Sequence, residues 1–213
     1  MSDDSPTAVI TDTSSEGMTL AVAAFGRSLE IHTPAFHPRA DRFFADLCVG
    51  LSDLDEAIAA WEQKMAPFVA MQPSGPPAAR VVVDASGQVE GDDLVAWGRL
   101  LAKLQTPQCK TVIVCGAVVV DQASDYDTLG SLAAALIRQR LGLFIGVGQA
   151  AKPIATQVGL EGSWDGESVW ADTPTRAYDY LCDQVRESDV VVVIGLHPAD
   201  RDDLMAQWGG VVR

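Results

Sequence analysis

With 213 residues and 48% hydrophobic side chains, the chain can bury a sizeable core as one domain, or as one domain with a smaller companion. Lys and Arg total 15 against 29 Asp and Glu, a net charge of -14; so few cations displace few condensed counterions, which excludes nucleic acid and anionic membrane as natural partners. No apolar run approaches the roughly 20 residues of a spanning helix. The acidic start MSDDSPT has neither the basic nor the apolar region of a signal peptide, so a cytoplasmic location is expected. Met1 and the polar leader behind it read as the start of a complete chain.

After that leader, MTLAVAA (18–24) and RSLEIHT (27–33) are β-like runs separated by Phe25-Gly26, which predicts a hairpin. A helix over about 38–49 follows, with Phe43, Phe44 and Leu47 at helical spacing. A second begins at Ser52, the expected N-cap, before acidic residues that suit the helix dipole, and Pro67 limits it. Gln72-Pro73-Ser74-Gly75-Pro76-Pro77 has no apolar periodicity and several breakers, the signature of a linker. The expected domains are therefore residues 1–72 and 78–213.

Beyond the linker, short β-branched runs alternate with amphipathic helices. The strands are ARVVVD (79–84), TVIVCG (111–116), LFIGVG (143–148), ESVWAD (167–172) and DVVVVIG (189–195). Helices are expected over about 92–104, 125–140, 150–158, 174–186 and 199–207. Continuous Val and Ile runs signal strands buried on both faces, and the helices between them signal parallel crossovers. The fold class is α/β, a Rossmann-like, doubly wound, mostly parallel sheet. Ligands of such sheets bind at the carboxyl ends of the strands, here Asp84 to Gly87, Gly116 to Asp121, Gly146 to Gln149, Asp172 to Thr173 and Gly195 to His197.

Common chemistries fail at those ends. No GxxxxGK(S/T) occurs, and no Gly precedes a Lys anywhere, so a loop that cradles ATP phosphates is absent. GVGQAA (146–151) lacks the third Gly of a dinucleotide fingerprint and follows the third strand of the sheet, so a tight turn explains it better than a cofactor. There is no GxSxG elbow, and Ser86 in Asp-Ala-Ser-Gly has a turn role. Asp84 and Asp121 could together hold Mg²⁺ or act as a base, but capping of the following helices is the stronger reading. The 4 cysteines and 3 histidines have no metal-ligand spacing. Cys48, Cys115 and Cys182 read as small core residues, and His32 as structural. His37 and His197, each before Pro, read as satisfied or solvated. Trp61 and Trp97 read as core.

In its order of elements the chain resembles the C-terminal half of the Mur ligases, especially the type that adds D-Ala-D-Ala to a UDP-muramoyl tripeptide. TPAFHPRADRFFADLCVGLSDLDEAIAAW (33–61) looks like the family's Pro-Gly-x-His-Asn segment and the two helices behind it, with His37 in the place of the family His and the Asn absent. The resemblance thus implies that residues 1–72 are a remnant of the family's central domain, a β-hairpin and two helices. The family's Pro-Gly-Arg turn, whose Arg engages the nucleotide end, is Pro73-Ser74-Gly75-Pro76 here. Its DSYNANP motif keeps only Asp84, its LGDM keeps Gly116 but has Ala117 for the Asp, and its Lys-Gly-Ser is Ile194-Gly195-Leu196. VGxxA persists as Val147-Gly148-Gln149-Ala150-Ala151.

The positions that shape the backbone persist while those that carry charge to ATP and the amino acid have changed. The resemblance implies a noncatalytic protein, a binding or regulatory one tied to peptidoglycan precursor synthesis, with no cofactor. It would bind a protein partner or a UDP-muramoyl peptide through His37, Asp84, Ser86, Gly116, Asp121, Gly148 and Gly195. The alternative is part of an ATP-dependent ligase, using ATP and Mg, whose P-loop lies on another segment or a partner chain. A third reading is a Rossmann-like domain for some other small ligand. Exposed sheet edges and the GGVVR tail (209–213) offer pairing surfaces for a homodimer.

Overall fold

The computed structural model describes residues 6–14, 17–35, 37–66, 68–71, 73–104, 108–120, 126–162 and 164–209. The chain divides into two compact units, residues 1–70 and 71–213.

In the first unit, β1 (Thr7–Ser14), β2 (Gly17–Ala24) and β3 (Arg27–Thr33) form an antiparallel sheet in that order. The hairpin at Phe25-Gly26 is present, and β1 is an addition: the polar leader supplies a third strand. Thr7, Val9, Thr11 and Thr13 are β-branched or fit an edge, and a register irregularity between Ile10 and Asp12 accommodates Thr11, whose Oγ1 donates to the Thr19 carbonyl at 3.3 Å. Then come α1 (Ala40–Gly50) and α2 (Leu54–Met65). Asp53, not Ser52, caps α2, its carboxylate accepting from Glu56 N at 3.4 Å. Met18, Leu20 and Val22 of β2, Ile31 of β3, Phe44 and Cys48 of α1, and Leu54, Trp61 and Met65 of α2 are buried. Trp61 Nε1 donates to the Ala40 carbonyl at 2.8 Å, fastening α2 to the first residue of α1. The chain leaves this unit through β4 (Phe68–Met71), which follows α2 and was not foreseen.

The second unit alternates strand and helix: β5 (Arg80–Asp84), β6 (Val89–Glu90), α3 (Gly91–Leu104), β7 (Thr111–Cys115), β8 (Val118–Val119), α4 (Tyr126–Ile137), β9 (Leu143–Val147), a 3₁₀ turn (Gln149–Ala151), α5 (Lys152–Leu160), β10 (Glu167–Ala171), α6 (Pro174–Gln184), β11 (Val190–Ile194) and α7 (Pro198–Gln207). Five strands run parallel in the order β10-β9-β7-β11-β5. Since α3 packs on α4, α4 on α5, and α6 on α7, right-handed crossovers place three helices on one face and two on the other. The doubly wound α/β sheet is therefore as the alternation predicts. Every residue of β7, β9 and β11 is buried, and each such Val or Ile contributes on the order of 1.5–3 kcal/mol.

Two features anchor the second unit. Asp189, at the amino end of β11, is buried and accepts from Lys110 N at 2.6 Å and Arg186 N at 2.8 Å. The Pro-rich stretch before β5 is held by the far end of the sequence: Gly75 N donates to the Trp208 carbonyl (3.0 Å), Ser74 Oγ to the Gly209 carbonyl (2.9 Å), Tyr178 OH to the Pro76 carbonyl (2.7 Å) and Trp208 Nε1 to the Pro77 carbonyl (2.7 Å). A Cβ on Gly75 would stand 2.9 Å from the Trp208 carbonyl oxygen, so only glycine permits this approach. Residues 73–77 are a clasp.

Candidate functional site

The carboxyl ends of β5, β7 and β11 hold Asp84, Ser86, Gly116 and Gly195. Asp84 is buried at the end of β5, and its Oδ1 accepts from Ser86 N at 2.8 Å, closing the turn that leads to β6. Burial raises the carboxyl pKa, while the hydrogen bonds from Ser86 and the charge of Arg201 pull the other way. Ser86 Oγ donates to the Gln88 carbonyl at 2.8 Å, a turn contact. Ser86 thus has the turn role read for it, whereas Asp84, expected to cap the following helix, closes the turn into β6 instead, because that strand intervenes before α3.

Gly116 and Gly195 meet as backbone. Gly116 N donates to the Ile194 carbonyl at 2.9 Å and Ala117 N to the Gly195 carbonyl at 2.8 Å. A Cβ on Gly116 would overlap the Gly195 carbonyl oxygen, and Gly195, at φ +65°, has Ala117 O 2.8 Å from its would-be Cβ. Val89 N also donates to the Ala117 carbonyl at 3.1 Å, and β6 pairs in parallel with β8 just above. The two glycines thus let three strand ends be stitched together by main chain.

Gly148 is different. At φ +77° it has nothing within 4 Å of a would-be Cβ. Its N–H donates to the Ala171 carbonyl at 2.9 Å and its carbonyl accepts from Trp170 Nε1 at 2.8 Å. Lys152 Nζ lies 4.4 Å above the Trp170 ring, and Arg176 pairs loosely with Asp172 at 3.8 Å. Asp121 lies outside the described residues.

His37 belongs to the first unit. Its ring stacks on Phe43 (4.6 Å between centroids) and tilts against Phe68 (4.2 Å), and its Nδ1 accepts from Arg39 N at 3.1 Å, holding the turn into α1. Burial, with Arg39 and Lys64 close by, lowers its pKa to about 3, so the imidazole is neutral near pH 7. His197 caps α7, Nδ1 accepting from Ala199 N at 3.3 Å, and His32 bonds Thr19 Oγ1 at 2.8 Å. Cys48 and Cys115 are buried as read, whereas Cys182 is exposed on α6, because it falls outside that helix's apolar stripe of Ala177 and Leu181.

Two residues unmarked by the sequence reading complete the sheet's edge. Arg201, four residues after His197 on α7, sends Nη1 to the Ala85 carbonyl (3.2 Å) and pairs with Asp202 at 2.8 Å. Lys152, beside Trp170, is the other, and its place directly after the VGxxA segment was the available signal. Among the described residues no three His, Cys, Asp or Glu side chains converge as a metal-ligand set, and no helix is long and apolar enough to cross a membrane.

Neither a scan of family models nor a search of curated proteins gives a match to the sequence. Solved structures do match. The MurF ligase from Thermotoga maritima, in complex with ADP, superposes with a TM-score of 0.59 at 14% identity, over 95% of this chain and 46% of that one. MurF from Acinetobacter baumannii gives 0.65 at 15% identity, over 98% of this chain and 46% of that one. Folylpolyglutamate synthase from Thermotoga maritima gives 0.52 at 12% identity, over 97% and 49%. The chain spans about half the length of the solved structures it matches. Five parallel strands flanked by helices, preceded by an antiparallel three-stranded sheet and two helices, are what these proteins share with it, and the chain has a Mur ligase-like fold.

Proposed function

We propose that this chain is a noncatalytic protein with a ligase fold, serving a binding or regulatory role tied to peptidoglycan precursor synthesis. The observation that carries this reading is how the polar groups of the strand ends are spent. Asp84 closes its own turn, Arg201 holds the Ala85 carbonyl and Asp202, and Gly116 and Gly195 join strand ends by main chain. Pro73-Ser74-Gly75-Pro76, which by resemblance stands where the family has an Arg for the nucleotide, serves as a clasp on Trp208 and Gly209. Groups committed in this way offer little to stabilise the charge that develops when a phosphoryl group is transferred. The ligand under this reading is a UDP-muramoyl peptide or a protein partner.

Calorimetric titration of the purified chain with Mg-ATP and, separately, with a UDP-muramoyl peptide tests it. Silence with Mg-ATP is expected. Saturable binding of the peptide alone identifies a precursor-binding protein, and silence with both directs attention to a protein partner. Saturable Mg-ATP binding accompanied by ADP release overturns the proposal.

A second reading is favoured by the matched length, 46% of each MurF chain: part of an ATP-dependent UDP-muramoyl-peptide amino-acid ligase whose P-loop lies on another segment or a partner chain. Restoration of ligation on mixing with a P-loop-bearing chain distinguishes it.

A further inference from the structure

The first unit contains a half-open cavity of about 360 Å³ between the end of β3 and the end of α2, which lies within the roughly 300–1,000 Å³ typical of small-molecule sites. Its walls are apolar: Pro34 and Ala35 on one side, Met65 and Phe68 on the other. Phe68 is fixed from behind by its contact with the His37 ring at 4.2 Å, and Met65 is fully buried in the helix packing. Those walls are built before any ligand arrives, which lowers the cost of ordering them.

The polar groups at the cavity are few and unequal. Thr33 Oγ1 is already bonded to Ala35 N at 3.1 Å, and the His32 ring is bonded through Nδ1 to Thr19 Oγ1 at 2.8 Å. Glu62 also lines the cavity, and no cation pairs with its carboxylate among the described residues. A rigid apolar chamber with one unpaired carboxylate is complementary to a small organic ammonium with an aromatic or branched apolar body. A ring would rest on Phe68, while the ammonium reaches Glu62. The net charge of -14 draws cations and repels carboxylates, which reinforces the selection.

We propose that the cavity between β3 and α2 is a binding site for small primary amines with an apolar body, with Glu62 as the counter-ion and Phe68 and Met65 as the apolar floor. It is independent of the strand ends of the second unit, so its failure leaves the functional reading above untouched.

The test uses the full chain and three isosteric probes, 2-phenylethylammonium, 2-phenylethanol and phenylacetate, followed by calorimetry and by heteronuclear NMR shifts. Saturable binding of the ammonium is expected, with shifts at Met65 and Phe68, weaker binding of the alcohol and none of the acid. Glu62→Gln, a change at an exposed position, should weaken the ammonium by about two- to fivefold, the upper range of an exposed charge pair, and leave the alcohol unchanged. Ala35→Leu, which fills the chamber from the opposite wall, should abolish both. No saturable shift at Met65 or Phe68 with the ammonium overturns the proposal, as does ammonium binding that Glu62→Gln leaves intact.

Discussion

Phe25 holds φ at +54° in the β2–β3 turn, with Gly26 at +72° behind it. Positive φ at both central residues suits the twist of a hairpin, but a side chain with a Cβ is strained there by roughly 1–2 kcal/mol, and Phe25 is exposed and gains little packing in return. Phe25→Asn should raise stability by about 1 kcal/mol in urea unfolding. Gly116 sets the opposite case. Because a Cβ would overlap the Gly195 carbonyl oxygen, Gly116→Ala should cost about 3 kcal/mol or more, read as a lowered urea midpoint or a loss of folded protein. His37 contributes a pH dependence. Its folded pKa, about 3, lies below the roughly 6.5 of an unfolded imidazole, so between these values the unfolded chain binds the extra proton. The contribution of His37 to stability is intact above about pH 6.5 and falls on acidification, approaching about 1.4 kcal/mol per pH unit until the folded pKa is reached. His37→Gln should show a shallower loss between pH 6 and about 4.

Trp208 argues at the scale of the element. It ends α7, is fully buried, and its indole N–H and carbonyl both reach the segment before β5. Trp208→Phe keeps most of the apolar contact but strips the Pro77 carbonyl of its donor, a cost of about 1–3 kcal/mol. Proteolysis between residues 73 and 78 should then begin sooner than in the parent, while cleavage elsewhere keeps its order. This clasp was illegible in the sequence because Pro and Gly signal an interruption of regular structure, and nothing local reveals that Trp208 supplies the missing hydrogen bonds. The five parallel strands were legible because runs such as VVVD, TVIVC and VVVVI can satisfy so much apolar surface only inside a sheet, although β10 at its edge buries only Ala171. β1 was missed since Thr and Asp dilute its hydropathy, and an edge strand needs only one apolar face. β6 and β8 are two residues each, too short to leave a pattern. At the strand ends, Ser86 was readable as turn chemistry, while Asp84, read as a helix cap, closes that same turn because β6 stands between it and α3. The meeting of Gly116 with Gly195, 79 residues along the chain, required the topology that inserts β11 between β5 and β7.

For the whole molecule, the division at residues 70 and 71 gives the second unit a core that draws on its own strands and on α6 and α7. Residues 71–213 expressed alone should therefore unfold cooperatively, as seen by circular dichroism in urea. A net charge of -14 makes the compact state repel itself, and salt screens that repulsion over a Debye length of about 10 Å at 0.1 M. The stability of the full chain should rise as NaCl is increased from about 0.02 to 0.5 M, the Debye length falling severalfold over that range.

The join between β6 and β8, with the carbonyl of Ala117 shared below it, also bears on what could be rebuilt from this scaffold. Trimming or exchanging a side chain does not remove a closure made of peptide groups, and a single change that would wedge it apart, a Cβ on Gly116, costs the fold its stability. A point mutation made to reshape this edge without that cost would therefore leave the main-chain pairing standing. Replacing residues 85–90 and 116–119 together is the smallest change that would part these strand ends.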